Sequence, residues 1–432
     1  MCGFTGFLDR KQSLSSDEAR PILEAMNRRI LNRGPDDEGM WIDPNQGVAL
    51  AHRRLAILDL STAGHQPMIS QSQRYILVFN GEIYNHRDIR RDIEQYGATP
   101  VHPLADQDTL QAPDANTLWR GHSDTETLLA AIEAFGVGEA LSRSRGMFAL
   151  ALWDRHDRLL YLARDRMGEK PLYYGWQGDF FLFGSELKAL ETHPEFRAEI
   201  DRGALSELLR IGYIPGPGSI YNGVHKLPPG TYLAIGAHRP DARPVSYWSC
   251  ADAALRGQMS PFTGSESEAV NTLDTLLRDS IANQMVADVP LGAFLSGGID
   301  SSLVTALMQA QSNTPIQTFS IGFDEQEYNE APFAKAIAQH LGTHHTELVV
   351  DPKAALSVIP DLPTLYDEPF ADASQIPTHL VSRLARQSVK VALTGDGGDE
   401  LFGGYNRHFW TMRLWSRMRY FPKGLRLSLI HI

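Results

Sequence analysis

Leu295-Ser296-Gly297-Gly298-Ile299-Asp300-Ser301-Ser302 does more than any other stretch to fix what this chain can fold into. An apolar run from Val289 leads into it, and a helical apolar pattern follows at Leu303, Val304, Ala306 and Leu307. The order reads as strand, glycine turn, helix N-terminus. Successive backbone N–H groups in such a turn, with the positive end of the helix dipole behind them, make an anion site. Two glycines let a ligand approach the backbone, and three serine hydroxyls stand ready to donate. The alternation continues downstream. Apolar runs at 317–321, 347–350 and 389–393 alternate with helical segments at 330–341, 354–366 and 375–386. That rhythm predicts a doubly wound parallel sheet whose ligands lie at the carboxyl ends of its strands. Thr394-Gly395-Asp396-Gly397-Gly398-Asp399-Glu400 also follows a predicted strand, so the two loops should share one crevice.

The Walker pattern ends in Gly-Lys-Ser/Thr, and no lysine occurs in this loop. The stretch instead resembles the pyrophosphate-binding loop of ATP pyrophosphatases, which split ATP into AMP and pyrophosphate. The resemblance implies ATP contacts at Leu295, Ser296, Gly297, Gly298, Asp300, Ser301, Ser302, Ile321, Thr394 and Gly395. It also implies Mg²⁺ ligands at Asp300 and Asp399, which would neutralise the leaving pyrophosphate. For Leu295 and Ile321 the competing reading is ordinary strand core.

At the other end the chain begins Met1-Cys2-Gly3-Phe4-Thr5-Gly6. Methionine is usually trimmed before a small second residue, which leaves Cys2 with a free α-amine of pKa roughly 7.7–8.0. Such an amine can serve as base for its own thiol, so an N-terminal cysteine is a self-activating nucleophile. Arg33-Gly34-Pro35-Asp36, Ala51-His52-Arg53-Arg54-Leu55, Phe79-Asn80-Gly81-Glu82-Ile83-Tyr84-Asn85, Ser123-Asp124-Thr125-Glu126, Arg164 to Tyr174 and Ser185-Glu186 follow in order. With Cys2 they resemble the class II glutamine amidotransferase domain, whose cysteine hydrolyses glutamine to glutamate and ammonia. Continued through the two Gly-rich loops, the order of parts is similar to the glutamine-hydrolysing asparagine synthetase family.

This resemblance implies an α+β N-terminal-nucleophile (αββα) glutaminase domain over residues 2–210 and a connecting segment over 211–264. An α/β doubly wound, ATP-pyrophosphatase-like domain would occupy 265–432. By the same resemblance Cys2 attacks the carboxamide, and Asn80 and the Gly81 N–H stabilise the oxyanion. Arg54, Glu82 and Asp124, with Asn80 and Gly81, hold glutamine. Arg54 would take the substrate carboxylate and Asp124 its ammonium. The bland alternatives are a surface ion pair for Arg54 and a helix N-cap for Asp124. Asp396 stands where many members carry glutamate, and its shorter side chain is the expected acid/base at the acyl-adenylate. Adjacent His344 and His345 would point apart at a strand start, so they read as structural rather than as a metal pair.

The local patterns fill in the N-terminal half. Helical periodicity covers 17–31, 87–96 and 125–135, with Ser16 or Asp17 capping the first and Asp124 the third. Runs at 147–153 and 159–163, and at 171–176 and 180–183, read as two hairpins. The Pro-, Asp- and Gln-rich stretch 98–120 reads as an exposed loop.

Composition excludes several classes. A net charge of −12 argues against nucleic acid as the main partner. Two cysteines give no disulfide framework and suit a reducing cytoplasm. No apolar stretch approaches the ~20 residues that span a bilayer, so neither membrane nor secretion is expected.

The implied reaction uses glutamine, ATP and aspartate. An acceptor carboxylate is adenylated, and ammonia, kept from water in an apolar passage, displaces AMP. Another acceptor, such as a uronic acid of a surface polysaccharide, is the alternative, and an inactive fragment is a third. A homodimer is the assembly the resemblance admits. Family members run on well past residue 432, and Leu427 to Ile432 carries no helix stop signal. The sequence is therefore expected to be truncated at its C-terminus, with glutaminase activity and negligible amide synthesis.

Overall fold

A computed structural model of the chain describes residues 2–95, 119–323 and 329–422. The expected loop at 98–120 lies outside the described residues except for its last two positions. The chain divides into two compact units. The first comprises Met1–Thr272, Val286–Asp288 and Val358–Ala373; the second comprises Leu273–Met285, Val289–Ser357 and Ser374–Ile432.

The first unit is built on two six-stranded antiparallel sheets. One runs in the order His225–Lys226, Tyr173–Gln177, Phe180–Gly184, Gly3–Asp9, Val48–Arg54, Asp37–Asp43. The other runs Val245–Ser246, Thr231–Ile235, Leu159–Arg164, Gly146–Asp154, Tyr75–Ile83, Met68–Ile69. Side-chain alternation sorts their residues into three layers. Phe4, Leu8, Leu50, Val78, Trp153 and Phe183 meet between the sheets. Phe7, Ala49 and Leu182, one residue out of phase, pack against Leu23 and Met26 of the Ser16–Arg29 helix. Leu77, Phe79 and Leu150 pack against Ile89, Leu128 and Ile132 of the His86–Gln95 and Asp124–Phe135 helices. Helix, sheet, sheet, helix is the resulting αββα stack. Because both faces of the central strands are covered, they read as unbroken apolar runs rather than as the alternation of a half-wet antiparallel sheet.

Both hairpins of the sequence reading are present, pairing Asp154 with Leu159 and Gln177 with Phe180. Two caps are corrected. Ser15, not Ser16 or Asp17, caps the first helix in a capping box with Glu18. Ser123, not Asp124, caps the third, its Oγ accepting from Glu126 N–H at 3.2 Å. In both cases a serine one residue earlier reaches the N3 amide with the extended backbone a cap requires.

The second unit holds a four-stranded parallel sheet in the order His344–Val350, Gln317–Phe323, Leu291–Phe294, Val391–Leu393. Ile281, Leu307 and Met308 cover part of it, and Ala385 packs with Phe319 and Val389. In chain order the strands lie 3-2-1-4, so the order reverses between Leu291–Phe294 and Val391–Leu393, the switch point where such sheets bind ligands. The helix expected over 354–366 is broken into Pro352–Val358 and Leu362–Leu365. Pro360 and Pro363 account for the break, each removing an N–H and crowding the preceding turn. His344 and His345 do open a strand, and His345 bonds Thr318 and Ser320 hydroxyls at 3.0 and 3.1 Å. Among the described residues no helix is long and apolar enough to cross a membrane.

Candidate functional site

Cys2 lies just before the Gly3–Asp9 strand, whose register sets Gly3 against Arg53 and so Cys2 beside Arg54. Strand parity turns Cys2, Arg54, Asn80 and Glu82 toward the layer between the sheets, in phase with Phe4, Leu50 and Val78. His52 ties the two sheets together here, one ring nitrogen 3.0 Å from the carbonyl of Phe79. Burial holds that imidazole neutral, pushing it down to about 3. The Cys2 sulfur accepts from Leu55 N–H at 3.3 Å. Burial pushes the thiol up, while the amino-terminal charge, the Leu55 N–H and the Arg54 guanidinium oppose it. The charges of Arg54 and Asp124 both reach the sulfur, the first opposing the shift from burial and the second adding to it.

Arg54 is buried and is not a surface ion pair. Its guanidinium donates to the carbonyls of Ser61, at 2.9 Å, and Asp59. These bonds aim it, and Gly64 makes room for it: a Cβ there would stand 1.8 Å from Nη2. Asp124 is the first residue of its helix rather than the cap. Its carboxylate accepts from Ile83 N–H and Thr125 N–H, each at 2.8 Å. Burial outweighs those bonds and raises it to about 6.

The Gly81 amide can be placed by ladder logic. Gly81 pairs with Phe148, whose N–H and C=O both turn to Asp165, at 3.1 and 2.8 Å. In an antiparallel pair the partner then also turns its polar groups outward. Along that edge Phe79 N–H reaches the Gln66 side chain at 2.6 Å and Ile83 N–H reaches Asp124. The Gly81 N–H sits between them. Beside it, the Asn80 side chain is buried with neither amide atom hydrogen-bonded. A buried amide left unpaired costs roughly 1–3 kcal/mol, which suits a group kept for a ligand. Glu82 is pushed up to about 7 by burial and then by Asp124, against the pull of Lys170 and the amino terminus.

Other residues of the quoted motifs turn out to have structural duties that the sequence did not reveal. Arg33 Nε donates to the Cys2 carbonyl at 2.9 Å and its Nη1 meets Glu186 at 2.8 Å. Ser185 brackets Phe4, accepting its N–H at 3.1 Å and donating its own to the Phe4 carbonyl at 2.9 Å. Asp165 accepts from Met167, Glu169 and Lys170 N–H at 3.0–3.1 Å, folding the turn that brings Lys170 toward Glu82. Their presence in the motif strings was the only signal; nothing local announced their partners.

In the second unit the Gly-rich loop forms as expected. Gly297 has φ +88°, a left-handed conformation that favours glycine. Ser296 and Ser301 hydroxyls lie 2.9 Å apart, and Ser302 donates to the Gly298 carbonyl at 2.5 Å ahead of the Ile299–Ala310 helix. The second Gly-rich loop packs onto the first. A Cβ on Gly395 would be 2.6 Å from Ser301 N, and one on Gly398 would be 2.4 Å from the Asp300 carboxyl carbon. Asp399, next in sequence, sets its carboxylate against Gly404. Thr394 donates to Asp396 at 2.9 Å. Leu295, just past the Leu291–Phe294 strand, is buried against Ala334 and Ala338, whereas Ile321 is half-buried. Among the described residues no group of three or more His, Cys, Asp or Glu could hold a metal by itself. Asp300 and Asp399 are carboxylates on the two Gly-rich loops, the donor type Mg²⁺ takes one or two of beside substrate phosphates.

Comparison with known proteins finds two domains in succession. The family model described as a glutamine amidotransferase domain matches residues 1–248, and that of asparagine synthase matches 272–431. Glutamine-hydrolysing asparagine synthetase 1 of Bacillus subtilis is 34% identical over 434 residues, covering 100% of this chain and 63% of that protein. A putative asparagine synthetase 2 of Methanocaldococcus jannaschii is 34% identical, over 99% of this chain and 80% of that one. A putative asparagine synthetase of Mycobacterium tuberculosis is 35% identical, over 99% of this chain and 64% of its own. The chain thus spans less than two thirds of the length of two of these three relatives.

Proposed function

The chain belongs to the glutamine-hydrolysing asparagine synthetase family, and we propose that it hydrolyses glutamine at Cys2 and delivers the ammonia to an ATP-activated carboxylate, that of aspartate. The observation that carries the glutaminase half is the buried, unpaired Asn80 amide beside the outward-turned Gly81 N–H. With Met1 removed, the Cys2 amine takes the thiol proton as sulfur attacks the carboxamide carbon. Charge developing on the carbonyl oxygen is met by the Asn80 side-chain N–H and the Gly81 N–H. Arg54 holds the substrate carboxylate, Asp124 and Glu82 its ammonium. The Cys2 ammonium returns that proton to the leaving nitrogen as the intermediate collapses to the thioester and ammonia, and water then cleaves the thioester to glutamate, restoring the thiol.

In the second unit Ser296, Gly297, Gly298, Ser301 and Ser302 bind the ATP phosphates, and Ile321, Thr394 and Gly395 take the nucleoside end. The buried Leu295 contributes through its backbone. Mg²⁺, held by Asp300 and Asp399, would neutralise the charge of the pyrophosphate. Asp396 serves the adenylate and its aminolysis as acid/base.

The test is product analysis with glutamine or ammonium as nitrogen source, aspartate, ATP and Mg²⁺. Glutamate release that is lost in Cys2→Ala, and ATP cleavage to AMP that depends on aspartate, are the expected results. Glutamate release that survives Cys2→Ala would defeat the first half. AMP formation indifferent to aspartate but stimulated by another carboxylate would defeat the acceptor.

A further inference from the structure

Residues 358–373 lie in the part of the chain that matches the asparagine synthase family, yet they pack as part of the first unit. Two acidic residues in that segment enter it. Asp367 Oδ2 accepts from Leu187 N–H at 2.6 Å, and its other oxygen lies 3.4 Å from Lys188 Nζ. The ammonium also donates to the Thr364 carbonyl at 2.9 Å and meets Glu186 at 2.9 Å. Glu186 turns its second oxygen to Arg33 at 2.8 Å, and Arg33 Nε holds the Cys2 carbonyl at 2.9 Å. The four side chains alternate in sign from Asp367 to Arg33, and their exposures are 8, 17, 14 and 12%. They are little screened by water, so each fixes the next. At the far end stands the backbone of the nucleophile itself.

We infer that Asp367 is a positioning residue for Cys2: it anchors Lys188 and Glu186 so that Arg33 clamps the Cys2 carbonyl and aims the thiol. This rests on the glutaminase reading of Cys2. A sub-ångström change in the aim of a nucleophile alters turnover, whereas the groups that bind glutamine, Arg54 and Asp124, are tied to other loops. The file therefore acts on kcat and not on KM. It also means that the glutaminase of this chain is completed by a segment more than a hundred residues beyond the matched amidotransferase domain.

The test uses the whole chain and a glutamate-release assay. Asp367→Asn retains an acceptor for Leu187 N–H but removes the charge that holds Lys188. It should lower kcat about 10-fold with KM for glutamine within about twofold. Lys188→Met, which breaks the same file one step nearer, should lower kcat similarly, and the double variant should be no worse than either single one. Glu368→Gln is the structural comparison, because Glu368 bonds Ile220 N–H and Lys226 in the same segment but stands outside the file. It should leave kcat unchanged. A parent-like kcat in Asp367→Asn, or an equal kcat loss in Glu368→Gln, would overturn the inference. A parent chain that releases no glutamate would instead remove the reading of Cys2 on which it rests, and the two failures are distinct.

Discussion

Around Cys2 the contacts that shape the site span long stretches of chain: 53 residues from Cys2 to Leu55, 153 from Arg33 to Glu186 and 181 from Phe4 to Ser185. In the Ser296–Ser302 loop the side-chain bonds join residues two to five positions apart. The first site is made by a fold and the second largely by a turn. A site made by a fold can keep a polar group buried and unpaired, as Asn80 is, because the surrounding layers hold it there. A site made by a turn satisfies its own hydroxyls, Ser302 on Gly298 for example, and must exchange those bonds for a ligand.

If the two regions are independent machines, removing the nucleophile should silence one alone. Cys2→Ala is expected to cut glutamate release by ~10⁴-fold or more, with nucleotide affinity unchanged by calorimetry. Loss of both would break the comparison. A smaller effect sharpens it within the first region. Asn80→Ala should lower kcat by ~10²–10³ with little change in KM, because an oxyanion donor acts on the transition state. A change confined to KM would make Asn80 a binding group only.

The contrast also explains what the sequence disclosed. The strand, turn and helix around Ser296–Ser302, and the parallel sheet behind them, were legible because each piece is local. The hairpins were legible for the same reason. The helix caps were misplaced by one or two residues, since neighbouring Ser15 and Ser16, or Ser123 and Asp124, differ only in which oxygen reaches the N3 amide. The motif residues Cys2, Arg54, Asn80, Gly81 and Asp124 could be named, but not how they are aimed. Asp59, Ser61 and Gly64 around Arg54 carry no local mark of that duty. Nothing near Asp367 indicates that its segment returns to the first unit.

A glycine probe in each region gives the next prediction. Gly64→Ala pushes a methyl into the Arg54 guanidinium, which is pinned by two carbonyls and cannot step aside without losing them. KM for glutamine should rise about 10-fold, equivalent to one weakened charge-assisted hydrogen bond. Gly398→Ala pushes a methyl against the Asp300 carboxyl group instead. It should weaken ATP-dependent AMP release in steady-state assays and leave glutamate release untouched. Crossed effects would show that the two sites are not separate.

The smallest expected effect concerns protons in the first region. In the proposed reaction Asp124 would bind the substrate ammonium only when ionised, and burial raises it to about 6, well above an ordinary aspartate. It is therefore charged at pH 7.5 and loses that charge as pH falls through about 6. KM for glutamine should rise about fourfold between pH 7.5 and 5.5, the factor by which the ionised fraction drops for such a group. Glu82 sits higher, at about 7, and part of that shift is repulsion from Asp124. The two carboxyls thus titrate as a pair, Glu82 taking up its proton first. In Asp124→Asn the KM should already be high at pH 7.5 and rise further toward 5.5 only by the smaller share that Glu82 contributes at the ammonium. Without its neighbour's charge Glu82 should hold its own proton less tightly, so any remaining acid limb moves to lower pH. A KM profile for Asp124→Asn that kept the full rise near pH 6 would assign that titration elsewhere and leave Asp124 as no more than the first residue of its helix.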